Sequence, residues 1–185
     1  MLLSSGDWFA FSVSTTTRRK RAGEIEGISY HFVDENTFRE LIGAGEFVEW
    51  ALVHGNYYGT TKKETDRILH TGKIPLFDVD VQGARSLKSS LEKAVFVFIV
   101  PPSRAVLESR LRNRKTDSEQ QIQIRLNNAI DELKEYTLYD YIVVNDDLEV
   151  ALDQFRSIVT AERCKKERNS LIIESILEEV RDNSA

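Results

Sequence analysis

The sequence holds a single cysteine, Cys164, in 185 residues. One cysteine excludes an internal disulfide and a cysteine-built zinc site. It also fits a reducing compartment, so a cytoplasmic setting is expected. No apolar run approaches the ~20 residues that a membrane span needs. The start, Met1 to Asp7, lacks the basic and then long apolar stretches of a secretion signal. No membrane partner is expected. The three histidines, His31, His54 and His70, show no ligand spacing, so no protein-built metal site is expected. Positive charge is also in short supply. The net charge is −5, which argues against a nucleic-acid partner. Internal repeats and low-complexity stretches are absent.

What is present is a composition that is 41% hydrophobic and 30% charged, ordinary for a globular protein. A chain of this length forms one domain with a full apolar core. Trp8 to Ser14, Ser29 to Val33, Phe47 to Trp50, Tyr57 to Gly59, Ile74 to Asp80, Val95 to Val100 and Tyr141 to Asn145 read as strands. Helices are predicted over Thr37 to Ile42 behind an Asp34 cap, over Lys62 to Thr71 before Gly72, and over Glu119 to Tyr136. Ser103 is placed to cap another helix, and a final one starts at Asp147 and runs, with a break, toward Val180. The runs at 74–80 and 95–100 are almost continuously apolar, as in parallel strands covered on both faces. Strands alternating with helices give an α/β domain with a mainly parallel sheet. Residues 15–73 are too polar and strand-rich for a crossover and read as an inserted lobe. Residues 104–125 are arginine-rich and read as a helical lid. Residues 1–14 and 74–103, with 126–185, form the core.

The basic run Arg18 to Arg21 is local, in a chain of opposite net charge, and suits a small anion. Arg18 and Arg21 lie three apart in a Gly-containing loop after a strand, and guanidinium forks match phosphate oxygens. Ser14, Tyr30 and Tyr58 bring hydroxyl donors. Glu49 is a carboxylate that accepts both donors on the edge of guanine, N1–H and the N2 amino group; Thr60 offers a hydroxyl to O6. Adenine has the reverse polarity, and such paired bonds discriminate by roughly 10⁴-fold or more. Read alone, Glu49 fits a surface position on a polar strand better than a base-reading one, and Arg18 and Arg21 fit a solvated loop equally well. Asp78 and Asp80, two apart at the end of a strand, share a face, where acids hold magnesium through water or orient a ligand; Asp80 is also a natural helix cap. Arg110 and Arg114 share a helical face, with Arg125 further on, and arginines of this kind close over transferring phosphoryl groups.

Taken together, Phe11-Ser12-Val13-Ser14 with Thr16-Thr17-Arg18, Arg21, Gly23-Glu24, then Glu49-Trp50 and Gly55 to Thr60, resemble the guanylate kinase family. Asp78, Asp80, Gln82-Gly83, Pro101-Pro102-Ser103 and Asn145 to Leu148 extend the resemblance over nearly the whole chain. The resemblance implies a P-loop-kinase-like parallel sheet flanked by helices, with an inserted mixed α/β GMP-binding lobe and a helical lid. It implies phosphoryl transfer from ATP to GMP with Mg2+, in a monomer or homodimer. Ser14, Arg18, Arg21, Tyr30 and Tyr58 would hold the GMP phosphate. Glu49 and Thr60 would read guanine, with Gly59 allowing close backbone approach. Glu24, Asp78 and Asp80 would lie near GMP and the reacting phosphates. Arg110, Arg114 and Arg125 would clamp ATP phosphates, and Asn145 would lie near adenine. Arg18, Asp80, Arg110 and Arg125 are the expected catalytic set.

The resemblance also implies an opening strand, a loop of the form G-x-x-x-x-G-K-[ST] and a helix. That motif is not in this sequence; the one Gly-Lys pair is Gly72-Lys73. Such a loop cradles phosphates with backbone N–H groups and ligates magnesium. Two accounts are expected to compete: a chain cut short, with Met1 an internal residue of the first helix, or a short form that has lost catalysis. The first is favoured, and reduced kinase activity follows from either. The alternative function is an inactive guanylate-kinase-like module that binds GMP or phosphorylated partner peptides.

Overall fold

The computed structural model describes residues 8–53, 55–113 and 118–182. The chain divides into two compact units, one ending at Ala94 and the other beginning at Val95.

In the first unit, β1 (Phe9–Phe11) pairs in parallel with β6 (Ile74–Leu76). Pro75 has no N–H to give, and the ladder does not need one. Its bonds run from Ile74 N to Trp8 O at 2.7 Å and from Ser12 N to Leu76 O at 3.0 Å. Between these strands come β2 (Thr15–Thr16), β3 (His31–Phe32), α1 (Glu35–Gly43), β4 (Phe47–Val53), β5 (Asn56–Thr61) and α2 (Lys62–Leu69). They build a four-stranded sheet in the order β3-β2-β5-β4, with the β2–β5 and β4–β5 pairs antiparallel. A bulge in β4, where Phe47 pairs with Thr61 but Glu49 with Thr60, puts Phe47 and Glu49 on opposite faces of the hairpin; both are buried, as is Ala51, while Trp50 and Leu52 are exposed. α1 docks on the hairpin through Phe38, which is fully buried and stacks on Phe47 at 4.4 Å and Tyr57 at 5.2 Å between ring centroids. Burying one such ring contributes about 1.5–3 kcal/mol. Asp34 caps α1, accepting from Thr37 N, as its position predicts. Gly45, at φ +67°, turns the chain out of that helix.

α3 (Val81–Ser90) follows β6, with Asp80 as its N-cap. The strand expected to reach Asp80 therefore stops at Leu76. The pairing with β1 ends there, and residues 77–80 form the turn into the helix, because Asp80 must accept from Gly83 N to start it. The hairpin departs in the other direction. β4 and β5 are both longer than predicted, since each extends the other's ladder until Gly55 (φ +79°).

In the second unit, β7 (Val97–Val100) pairs in parallel with β8 (Tyr141–Val144). Val143 is buried and α6 (Leu148–Arg163) packs against β8, while Ile99, Ile142 and Val144 are exposed. Cover on both faces was the expectation; here α6 covers β8 at Val143 while Ile99, its partner in register, is exposed, so the cover is partial. α4 (Arg104–Asn113), capped by Ser103, and α5 (Glu119–Lys134), opened by a Ser118–Gln121 capping box, meet through Leu107, Leu111, Ile122 and Leu126. The predicted break in the last helix lies at Cys164 and Lys165, between α6 and α7 (Lys166–Asp182). Among the described residues no helix is long and apolar enough to cross a membrane.

Candidate functional site

The first unit gathers the predicted phosphate residues onto the β2–β5 pair. Thr16 lies opposite Tyr58, so the loop after β2 starts beside that tyrosine. The loop is tied down at its root. Thr16 Oγ1 donates to Tyr57 O at 2.9 Å, and Tyr57 N donates to Thr17 Oγ1 at 2.9 Å. Arg18 then forms a two-pronged pair with Glu24, at 2.6 and 3.1 Å. Its Cζ stands 5.4 Å from the Tyr30 ring centroid, and the Tyr30 and Tyr58 rings meet edge-on at 6.0 Å. Both are favourable geometries, a cation over a ring face and a ring edge against a ring face. Glu24 holds the guanidinium even more firmly protonated than usual, and Tyr58 adds to this. In return Arg18, and then the Arg21 backbone, depress the Glu24 carboxyl below its usual range. Burial raises the Tyr30 phenol, with the charge of Tyr58 adding to the shift and that of Asp78 contributing less. Arg18, Glu24, Tyr30 and Tyr58 thus form one cluster. Arg21 joins it by its backbone N–H, 2.7 Å from Glu24 Oε2, while the residue itself is exposed. Ser14 is half-buried at the start of β2, its carbonyl accepting from His31 N at 2.9 Å.

The predicted base-reading pair sits on β4 and β5, where Glu49 faces Thr60 in register. Glu49 is 5% exposed, against the surface position that its residue type favours. Burial pushes its carboxyl up; the Thr60 hydroxyl and backbone partly offset this, and the charge of Asp80 adds to it. Thr60 Oγ1 is buried and makes no hydrogen bond of full geometry within the chain. A buried carboxylate beside a buried hydroxyl that engages it only loosely is a costly arrangement. Gly59 is required by its own sheet. A Cβ there would lie 2.8 Å from Glu49 O and 2.9 Å from Phe47 Cδ1 and Trp50 Cβ.

Asp78 and Asp80 were expected to share a strand face. Both lie beyond the end of β6, so the alternation does not apply. Asp78 is exposed and acts on Tyr30 through its charge, whereas Asp80 caps α3 and acts on Glu49. In the second unit Arg110 donates to the backbone carbonyls of Asn145, at 2.8 Å, and Asp146, at 3.2 Å, which joins two of the predicted ATP residues. Arg125 is half-buried on α5. Arg114 lies outside the described residues, as does His54.

Sequence reasoning missed Glu64. Its Oε1 accepts from Val13 N at 3.0 Å, and Arg67 grips both carboxylate oxygens at 2.8 Å. Arg67 and the Val13 amide hold this carboxyl below its usual range against the cost of burial. Glu64 thereby fixes the segment that carries Ser14 and leads to Arg18. The three-residue acid–base spacing on α2 was the available signal.

The guanylate kinase family model matches residues 1–162. The guanylate kinase of Nitratidesulfovibrio vulgaris is 50% identical over 177 residues, spanning 96% of this chain and 86% of the relative. That of Vibrio cholerae is 46% identical, spanning 86% and 77%. The crystal structure of guanylate kinase from Anaplasma phagocytophilum superposes with a TM-score of 0.73 at 37% identity, over 86% of this chain and 79% of that one. With these matches on an α/β fold, the chain belongs to the guanylate kinase family of nucleotide-binding phosphotransferases.

Proposed function

We propose that the chain binds GMP in its first unit and is built for phosphoryl transfer from MgATP to that GMP, giving GDP and ADP. The observation that carries this reading is Glu49, a buried carboxylate with a raised pKa beside the Thr60 hydroxyl. Guanine N1–H and the N2 amino group would meet the carboxylate, and O6 would take the Thr60 hydroxyl. Both buried groups would then be satisfied, which the reverse polarity of adenine does not allow. The cluster of Arg18, Arg21, Tyr30 and Tyr58, with Ser14, takes the phosphate. Glu24 positions Arg18 until the phosphate arrives. Residues 15–73 act as the GMP lobe, and 104–125 as a lid whose arginines, Arg110, Arg114 and Arg125, meet ATP phosphates near Asn145. Charge developing on the transferred group would be neutralised by Arg18 and the lid arginines.

No cluster of three His, Cys, Asp or Glu among the described residues suits a metal by itself. Mg2+ therefore fits as an ion brought by ATP, with Asp78 and Asp80 meeting its water shell. When bound, it neutralises and orients the phosphates. The partners are nucleotides; nucleic acid is not one of them, and a monomer or homodimer is expected. Because the string G-x-x-x-x-G-K-[ST] does not occur in the sequence, we propose that the 185 residues turn over little by themselves. A calorimetric titration with GMP, AMP and a phosphotyrosyl peptide tests the reading. Selective GMP binding supports it. Peptide binding without preference for GMP over AMP would assign the chain to the partner-binding module instead.

A further inference from the structure

The Glu49 carboxylate is not held by β4 and β5 alone. The first turn of α3 packs against β4, and Gly83, the third residue of that helix, is buried there. A Cβ on Gly83 would lie 3.1 Å from Glu49 Oε2, 2.9 Å from Val79 Cβ and 3.4 Å from Val79 Cγ1. At the first distance the carboxylate oxygen would have to give way by a few tenths of an ångström. The second cannot be relieved by rotating a side chain, because Val79 Cβ is fixed to the backbone. Gly83 is in the α-helix and needs no unusual φ, so its backbone freedom does not explain it. What it supplies is the absence of a side chain at the point where helix, turn and carboxylate meet.

We infer that Gly83 is a specificity-determining positioning residue, whose missing side chain lets the first turn of α3 seat the Glu49 carboxylate for the base edge. This rests on the reading of Glu49 as the group that accepts from guanine. Gly83 touches no part of the nucleotide in this account. It acts through Glu49, and its N–H, given to Asp80 Oδ1 at 2.9 Å, fixes the same turn. The register matters because two parallel hydrogen bonds to N1–H and the N2 amino group require both carboxylate oxygens at once. A small displacement at Oε2 weakens the pair without reaching the Arg18 cluster on the β2 loop.

The test is Gly83→Ala in the full chain, titrated with GMP, AMP and ribose 5-phosphate, which carries the phosphate and sugar without a base. Affinity for GMP is expected to fall roughly tenfold or more, the loss of a hydrogen bond to a charged group. Ribose 5-phosphate binding is expected to stay unchanged, so the GMP/AMP ratio collapses. Equal loss for GMP and ribose 5-phosphate, or no loss for either, overturns the inference. Should Gly83→Ala fail to melt cooperatively, Val79→Gly combined with Gly83→Ala removes the backbone-fixed clash and leaves only the contact with Glu49; the same criterion then decides. Glu49→Gln is run beside both. An unchanged GMP/AMP ratio in Glu49→Gln sinks the reading of Glu49 itself. A changed ratio there, with none in the Gly83 variants, sinks only the role of Gly83.

Discussion

Two side chains carry the residue-scale argument, Glu49 and Arg18. Both were candidates from their neighbours in sequence, but the burial and pairing that support their proposed roles were not legible there. No pattern of residue types says that Glu49 is 5% exposed. That follows from its place on the face of the hairpin that α3 covers. The raised pKa has two consequences. In the ligand-free chain the folded state binds the Glu49 proton more tightly than the unfolded state does. The stability it contributes is therefore largest below the unfolded pKa, and it is lost as pH rises from there through the folded pKa. Glu49→Gln should accordingly raise the melting temperature of the ligand-free chain at neutral pH while weakening GMP; a lower melting temperature would contradict the burial argument. Guanine favours the charged carboxylate, so GMP affinity should fall as pH drops through the raised pKa, with a proton released on binding. Titrations in buffers of different ionisation enthalpy read that proton directly, and identical heats near that pKa would exclude it. Arg18 is tied to Glu24 at 2.6 Å before any ligand arrives. Arg18→Ala should cost GMP about 1.5–3 kcal/mol, the range for hydrogen bonds to charged groups. Guanosine should lose almost nothing, and an equal loss for guanosine would remove Arg18 from the phosphate contacts.

At the scale of elements, caps were the most legible feature. Asp34, Ser103, Ser118 and Asp147 each accept a backbone N–H at a helix start, because capping is decided within a few residues of sequence. Ser103, Asp34 and Asp147 were predicted; Ser118 was not. Strand ends were poorly legible, since a strand lasts only as long as its partner does. The apolar run through Ile74 to Asp80 looks continuous, but β1 supplies pairing only to Leu76 and Asp80 is taken by α3. The hairpin β4–β5 matters most for the proposed function, because Glu49, Tyr58, Gly59 and Thr60 all lie on it. What holds it is the stack of Phe38 on Phe47 and Tyr57. Phe38→Ala should destabilise the chain by about 3–5 kcal/mol through the cavity it leaves. If the hairpin is the platform for the base, GMP affinity should fall along with stability. A destabilised variant that still binds GMP with unaltered selectivity, at a temperature where it remains folded, would show that the platform is set elsewhere.

For the whole molecule, the sequence pattern revealed the α/β class and the family, because several ordered motifs are spread along the chain. The division at Ala94 and Val95 was not legible, as no linker composition marks it. Under the proposed function, that division separates two tasks. Every predicted GMP residue lies in the first unit, whereas Arg110, Arg125 and Asn145 lie in the second. GMP recognition should therefore survive changes in the second unit: Arg110→Ala, which removes its bonds to the Asn145 and Asp146 carbonyls, should leave GMP affinity as it was. Turnover makes a different demand. Binding the acceptor supplies no group that envelops the donor's β- and γ-phosphates, and backbone N–H groups of a glycine-rich loop are what P-loop enzymes use for that. The string G-x-x-x-x-G-K-[ST] does not occur in the sequence, and on the proposed reading the arginines do not replace it, since an arginine cannot hold the phosphates and the magnesium at once. A coupled assay of ADP formation with GMP and MgATP should thus give little signal from a chain that binds GMP selectively. Turnover within about tenfold of a typical enzyme rate, roughly 1–100 s⁻¹ for kinases, would mean that the second unit cradles ATP by a route without the loop. The arginines of α4 and α5 would then be the first groups to substitute.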